Sequence, residues 1–343
     1  MKKAYACLFP VRNGRRRAMW EVTNACNAKC KHCCSSAADA KEGELSYEQS
    51  LSLLDDLYDR GFNEIYFSGG EPLMKERFVD IVEYARKKFS NVVFSTNGML
   101  VDEGAARRIA KIGADYVNIS IDSISPEKHD AMRGVKGLHR KAVSAAKMLA
   151  ENGANVRLGF TITNDNWQEI SEFAELAKAT GAGAVVYNFF LPIGRGADNP
   201  EMAVRNDVAK SVVNELCALR ERYEVREGTM KVMYRRFPDK GVPLEECPGG
   251  DRLLHISPDG TASPCSWIEK LEPSYSSGSR FPEVSVKELL ASEGIKSFRE
   301  LVKERKKTDC GPCKAEGCGH GCPALARVSK GSLKERDPIC ESS

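Results

Sequence analysis

The sequence carries almost no surplus of charge. Formal net charge over 343 residues is only +3, with acids and bases interspersed, so neither a nucleic-acid stripe nor a cationic membrane face is indicated. The Arg15-Arg16-Arg17 run reads as a solvated entry to the first strand. No apolar run reaches transmembrane length, and Ala4 to Val11 is too short and wrongly flanked for a secretory signal. An ordinary apolar share argues against disorder. These absences point to a cytoplasmic chain without nucleic-acid or membrane partners, long enough for one large α/β domain and a smaller module.

Cysteine, by contrast, is abundant. Thirteen thiols in a reducing compartment argue against a disulfide framework and for metal. They cluster as Cys26, Cys30, Cys33 and Cys34, then as Cys247, Cys265, Cys310, Cys313, Cys318, Cys322 and Cys340. Cys7 and Cys217 stand apart and read as small buried hydrophobes. The spacing C-x3-C-x2-C of Cys26, Cys30 and Cys33 lets three thiolates clamp one face of an iron–sulfur cube and leave its fourth iron without a protein ligand. A zinc knuckle completed by His32 or Cys34 is the alternative.

From Met19 to about Arg222, β-branched and aromatic runs alternate with helical periods. Strands are expected at Met19 to Val22, Glu64 to Phe67, Val92 to Ser95, Tyr116 to Ile121, Val156 to Ile162 and Ala184 to Phe190. Ser46 with Gln49 forms a capping box, and Asn166 with Glu169 caps a later helix. Gly61, Gly113, Gly153 and Gly181 each close a helix. Six βα units fall short of the eight in a closed barrel. The expected fold is therefore α/β, a partial (β/α)6 TIM-like barrel, with flavodoxin-like winding as the alternative.

The polar motifs fall at strand C-terminal ends. Gly69-Gly70-Glu71-Pro72 follows the second strand, where two residues without Cβ let the backbone approach a ligand and an acid can accept from an ammonium. Asn97 follows the third strand. Ser120 and Asp122 end the fourth, on one face by alternation, where they can bond a ribose or carboxylate or cap the next helices. Tyr187, Asn188, Phe189 and Phe190 end the sixth, facing core or pocket in alternation.

The triad, the strand before it and the Gly-Gly-Glu-Pro turn together resemble the radical S-adenosylmethionine (SAM) superfamily. The resemblance implies that a [4Fe-4S] cluster on Cys26, Cys30 and Cys33 chelates SAM and splits it into methionine and a 5'-deoxyadenosyl radical. It implies SAM contacts from Gly69, Gly70, Glu71, Asn97, Ser120, Asp122 and Arg133, and it puts His32 where the family has an aromatic residue along the adenine.

The last third is rich in Cys, Gly and Pro and too thinly apolar to fold without a staple. Cys247 and Cys265 flank a hairpin turning at Pro258-Asp259-Gly260. With Cys310-x2-Cys313-x4-Cys318-x3-Cys322 and Cys340, this segment resembles a SPASM module, although one gap is a residue short of the family pattern. Paired zinc ribbons are the alternative. The resemblance implies two auxiliary iron–sulfur clusters, one on Cys310, Cys313, Cys318 and Cys340 and one on Cys247, Cys265 and Cys322. Cys217, Asp251 and His255 are candidate fourth ligands of the latter, which could also keep one iron free. The implied layout is a lead-in at 1–16, the barrel at 17–230, a linker at 231–246 and the SPASM module, with its hairpin and short helices, at 247–343. The short lead-in is expected to exclude a separate N-terminal peptide-recognition domain. The implied activity is oxidative modification of a peptide or protein, with a small molecule such as a porphyrin side chain or an aminocyclitol as the alternative. A flavodoxin or ferredoxin is the expected reductant. No residue is singled out as catalytic acid or base.

Overall fold

Alternation decides which way each strand faces. In β1 (Arg17–Glu21) Ala18 and Trp20 pack under the helices, while Arg17, Met19 and Glu21 take the opposite face. The same pattern holds in β2 (Glu64–Ser68), β3 (Asn91–Thr96), β4 (Tyr116–Ser120), β5 (Val156–Ile162) and β6 (Ala184–Phe189), whose helix-side members include Phe67, Phe94, Ile119, Phe160 and Tyr187. The computed structural model describes residues 14–234, 246–305 and 321–337.

These six strands pair in parallel in chain order. The crossovers carry α1 (Tyr47–Asp59), α2 (Phe78–Arg86), α3 (Glu103–Ile112), α4 (Pro126–Arg133), α5 (Leu138–Glu151) and α6 (Ile170–Ala179). After α7 (Asn206–Arg220) comes β7 (Lys231–Tyr234), parallel to β6. On the other side of β1, β8 (Leu253–Ile256) pairs in parallel and β9 (Ala262–Ser263) returns antiparallel. The sheet order is β7-β6-β5-β4-β3-β2-β1-β8-β9, and among the described residues its two ends do not pair with each other, so the barrel is open. Flavodoxin-like winding is excluded because β1 to β7 run in sequence order without the reversal such folds require.

The C-terminal module adds α8 (Ser266–Leu271), α9 (Val286–Leu290), α10 (Glu293–Arg305) and α11 (Pro323–Lys330). Trp267, Ile268, Phe298, Leu301 and Leu325 pack with Met19 of β1 and Leu253 of β8 in a second apolar cluster. The module is thus seated on the strands next to the cysteine loop. No helix among the described residues is long and apolar enough to cross a membrane.

Four local expectations are corrected. Residues Lys231 to Tyr234, read as the start of a linker, form β7; only four residues long and followed by Arg235 and Arg236, the strand left little periodic signal. Asn166 and Glu169 form no capping box, because Asn166 Nδ2 donates to the carbonyls of Asp122 and Thr161 while Glu169 accepts from Ser123 Oγ and the Ile124 N–H. β4 ends at Ser120, so the alternation does not extend to Asp122. Cys217 is exposed on α7, where it accepts a hydrogen bond from Tyr234 at 3.2 Å. The capping box at Ser46 and Gln49, the left-handed glycine cap at Gly113 and the hairpin turn at Gly260 all form as expected.

Candidate functional site

The cysteine loop leaves the C-terminal end of β1 and is tied on three sides. From β2, Gly70 N–H donates to Thr23 O and Glu71 N–H to Ala25 O. From α4, the carbonyls of Arg133 and Met132 accept from Lys29 and Lys31. After β6, Arg195 donates to the carbonyls of Cys30 and Ala37 at 3.1 and 2.6 Å. The glycines serve this packing directly. A Cβ on Gly70 would lie 2.1 Å from Ala25 O, one on Gly69 2.5 Å from Thr23 O, and one on Gly194 2.3 Å from Cys34 O.

Cys26, Cys30 and Cys33 open together onto a cavity of about 300 Å³. His32, Gly69, Gly70, Glu71, Asn97, Ser120 and Arg133 also line it, as do Thr161, Asn188 and Trp267. Asp122 does not; it stands behind the wall. Its Oδ2 receives Arg133 Nε at 2.7 Å and Nη2 at 2.6 Å and lies 3.3 Å from His32 Nε2, while Oδ1 accepts from Thr161 N–H. Burial opposes ionisation of Asp122, but Arg133 and then His32 hold its carboxyl far below the usual range. Asp122 thus orients Arg133 and His32 from behind the cavity wall.

Glu71 is similarly engaged. Its carboxylate accepts from Thr96 Oγ1 at 2.6 Å and from the N–H groups of Asn97 and Leu73 at 2.7 and 3.1 Å. Burial nonetheless raises its pKa. Asn97 Nδ2 donates to Asn27 Oδ1, joining the β3 end to the cysteine loop. Arg195 and Gly194 were not foreseen, although their place after a barrel strand is the signal that could have found them.

The donor set fits a cluster with one open iron. Burial pushes the Cys30 thiol up to about 11, partly offset by Arg133, whose Nη1 lies 4.0 Å from Sγ; a metal supplies the positive charge that thiolates here would need. Of the loop's other donors, His32 is turned to Asp122, while Cys34 lines the same cavity beside Cys33, with Glu21 and Lys270 also near it. Burial lowers His32 to about 4, so the ring is neutral. Its Nδ1 is buried without a hydrogen-bond partner, an acceptor open to a bound group.

In the C-terminal module Cys247, Cys265 and Cys322 share one apolar cluster. Burial and then the neighbouring Cys322 push the Cys265 thiol up to about 12. A Cβ on Gly249 would lie 3.4 Å from Cys247 Sγ and 3.2 Å from Pro264 O, which places Cys247 beside the residue preceding Cys265. These three also fit a metal cluster. Cys310, Cys313, Cys318 and Cys340 lie outside the described residues. Of the candidate fourth donors, Cys217 sits beside β7 at the far end of the sheet, Asp251 faces Arg16, and His255 lies between Ser263 and Glu21.

Comparison with known proteins agrees with this geometry. The family model for the radical SAM superfamily matches residues 20–177, and that for the SPASM iron-sulfur cluster-binding domain matches 247–319. An AdoMet-dependent heme synthase from Oleidesulfovibrio alaskensis is 29% identical over 95% of this chain and 87% of its own. Mycofactocin maturase MftC from Mycobacterium tuberculosis is 29% identical over 94% of this chain and 81% of its own. The crystal structure of Streptococcus suis SuiB bound to S-adenosylmethionine superposes with a TM-score of 0.77 at 16% identity, covering 95% of this chain and 77% of that one, which establishes the shared fold. Three cysteines at the mouth of an open parallel barrel, and three more beneath its first strand, have the same meaning as these matches: the chain belongs to the radical SAM superfamily, carries a SPASM domain, and uses SAM and [4Fe-4S] clusters.

Proposed function

We propose that this protein cleaves SAM reductively at the barrel mouth and uses the resulting radical to oxidise a peptide or protein side chain, by cross-linking or dehydrogenation. The observation that carries the reading is the convergence of Cys26, Cys30 and Cys33 with the Gly69-Gly70-Glu71 turn on one cavity. When bound, the cluster and SAM supply a 5'-deoxyadenosyl radical, which takes almost any hydrogen within reach. Selectivity then depends on held geometry. Arg195, the β2 turn and the α4 carbonyls fix the cysteine loop, and Asp122 fixes Arg133 and His32 at the wall. Phe189, Phe190 and Trp267 give the cavity an apolar wall.

Cys247, Cys265 and Cys322, with the outer cysteines Cys310, Cys313, Cys318 and Cys340, hold the auxiliary clusters, the family's route for the electron left by oxidation. A flavodoxin- or ferredoxin-type protein is the reductant this reading requires. The relative named mycofactocin maturase supports a peptide substrate. Equal identity to a heme synthase supports a second reading, a tetrapyrrole side chain. Anaerobically reconstituted protein given SAM and dithionite should form 5'-deoxyadenosine, and Cys30→Ala should abolish it while keeping auxiliary iron. Fully iron-loaded protein that forms none refutes the reading. Mass shifts in peptides encoded nearby, or a copurifying tetrapyrrole, separate the two substrates.

A further inference from the structure

Cations from four separate segments meet at the N-terminal end of the strands, opposite the radical cavity. Arg16 precedes β1, Arg60 caps the end of α1, Lys287 stands on α9, and Lys296 and Arg299 stand on α10. They line one hollow of about 590 Å³, in which Asp251 is the single acid. Arg60 lies 3.6 Å from Asp56, but Lys287, Lys296 and Arg299 form no ion pair with a carboxylate among the described residues. Burial lowers the pKa of Arg16; Asp251 opposes this and Arg299 adds to it, so the two guanidiniums are close enough to repel. Five converging cations with one acid create a focused positive field, and an anion relieves their repulsion.

The floor of the hollow is the turn that follows Cys247. Arg16 Nε and Nη2 donate to the Asp251 carbonyl at 3.2 and 3.1 Å, Arg299 Nε donates to the Gly250 carbonyl, and Asp251 N–H returns to Pro248 O. The position of a Cβ on Gly249 is 3.4 Å from Cys247 Sγ and 3.0 Å from the Phe298 ring of α10, so Cys247 packs against this same turn. Cys265 comes to the same end of the sheet. β9 runs antiparallel to β8 with Ser263 opposite His255, and continuing that register brings Cys265 level with Leu253, which pairs with Arg17 at the start of β1. Cys265 and Leu253 indeed share one apolar cluster. Two of the three cysteines of the inner auxiliary site therefore lie where the hollow opens.

Once a hydrogen atom has been taken from the substrate, completing a two-electron oxidation releases one electron and one proton. The proton can pass to water, but the electron needs an acceptor outside the chain before the next turnover. We propose that the hollow is the docking site of an acidic one-electron carrier, whose carboxylates meet Lys287, Lys296 and Arg299 and whose oxidised form takes the electron from the inner auxiliary cluster beside the Cys247 turn. The carrier gains one electron, the cluster returns to its oxidised state, and no covalent bond forms or breaks at either. This rests on the radical reading above and names the partner of its auxiliary clusters. The substrate is not the occupant, because the cavity that must hold its reacting atom lies at the other end of the strands.

Binding of an acidic flavodoxin and of an acidic ferredoxin, both oxidised, to anaerobically reconstituted full-length protein tests this. At least one should bind, and its affinity should fall about tenfold or more in Lys287→Glu/Lys296→Glu and on raising salt from about 0.05 to 0.3 M. Lys147→Glu, on α5, should bind as the unmodified protein does. Both reversed lysines are exposed, so iron content and thermal midpoint should hold in the double variant. Carbodiimide, which joins amines to carboxylates in contact, should link the carrier to Lys287 or Lys296. Cys30→Ala protein, keeping only auxiliary iron and reduced beforehand, should pass an electron to the bound carrier, read as its change in absorbance. Failure of both carriers to bind, undiminished affinity in the double variant, cross-links confined to other lysines, or no electron transfer overturns the proposal. So does binding of inorganic pyrophosphate in the hollow without either carrier, which would make it a small-anion site. Formation of 5'-deoxyadenosine with dithionite, which needs no carrier, reports on the radical reading separately.

Discussion

At the residue scale, Asp122 and His129 show how a polar cluster at a strand end becomes a support. Asp122 neutralises the buried Arg133, so Asp122→Asn strands a guanidinium and should destabilise the fold by about 3–5 kcal/mol in urea unfolding. A loss under about 1 kcal/mol would show that the pair is not the support described. His129 accepts the Asp122 N–H on Nδ1 at 3.1 Å, an arrangement available only to the neutral ring. Burial and then Arg133 lower its pKa to about 3. A folded value below the unfolded one, about 6.5, means that the stability is complete above pH 6.5 and is lost as pH falls toward the folded value. Between pH 7 and pH 5 the loss should be about 2 kcal/mol from His129, with His32 acting in the same direction. His129→Asn, whose Oδ1 can take the place of Nδ1, should flatten that dependence; an unchanged profile would clear His129 of the role. The sequence marked Asp122 and Arg133 as polar groups at the mouth. It could not show that they satisfy each other, because that depends on a turn of α4 folding back over the β4 end.

At the element scale, motif spacing was legible and its physical reason only partly so. Strand order, the cysteine loop and the Gly-Gly-Glu-Pro turn followed from periodicity and chain position, since hydrophobic alternation and helix caps are local. The glycines read as sites of ligand approach line the cavity and are also needed where two loops meet, since Ala25 O lies 2.1 Å from the position of a Cβ on Gly70. That contact joins residues far apart in sequence, and no local pattern encodes it. Gly70→Ala should therefore displace the cysteine loop and lose the iron of the first cluster, read as iron per chain and as the reduced-cluster resonance. Gly113→Ala is the control: it adds left-handed strain, at φ +66°, that Gly70 does not have, but its Cβ would meet open space, so it should cost only about 1 kcal/mol and keep the iron. Equal iron in both variants would show that the close approach does not position the cluster.

At the scale of the whole molecule, the two family modules share one sheet. β8 pairs with β1 over four residues, Arg17 to Trp20, and the module's apolar cluster covers Met19. Glu21 depends on the same contact: burial opposes its ionisation, and His255 and then Lys270, both from the C-terminal module, hold its carboxyl at about 2. A chain ending at Tyr234 would keep every cysteine of the first cluster site. It would also turn β1 into an unprotected edge, uncover Met19 and remove His255 and Lys270 from Glu21. Such a fragment should aggregate and show no cooperative melt, although it contains all the cysteines of the radical site. Prepared without oxygen, it should elute in the void volume on size exclusion and hold little iron. A monodisperse fragment with a sharp transition and one intact cluster would mean that the barrel folds alone, and that β8 and β9 dock onto a finished edge instead of completing it.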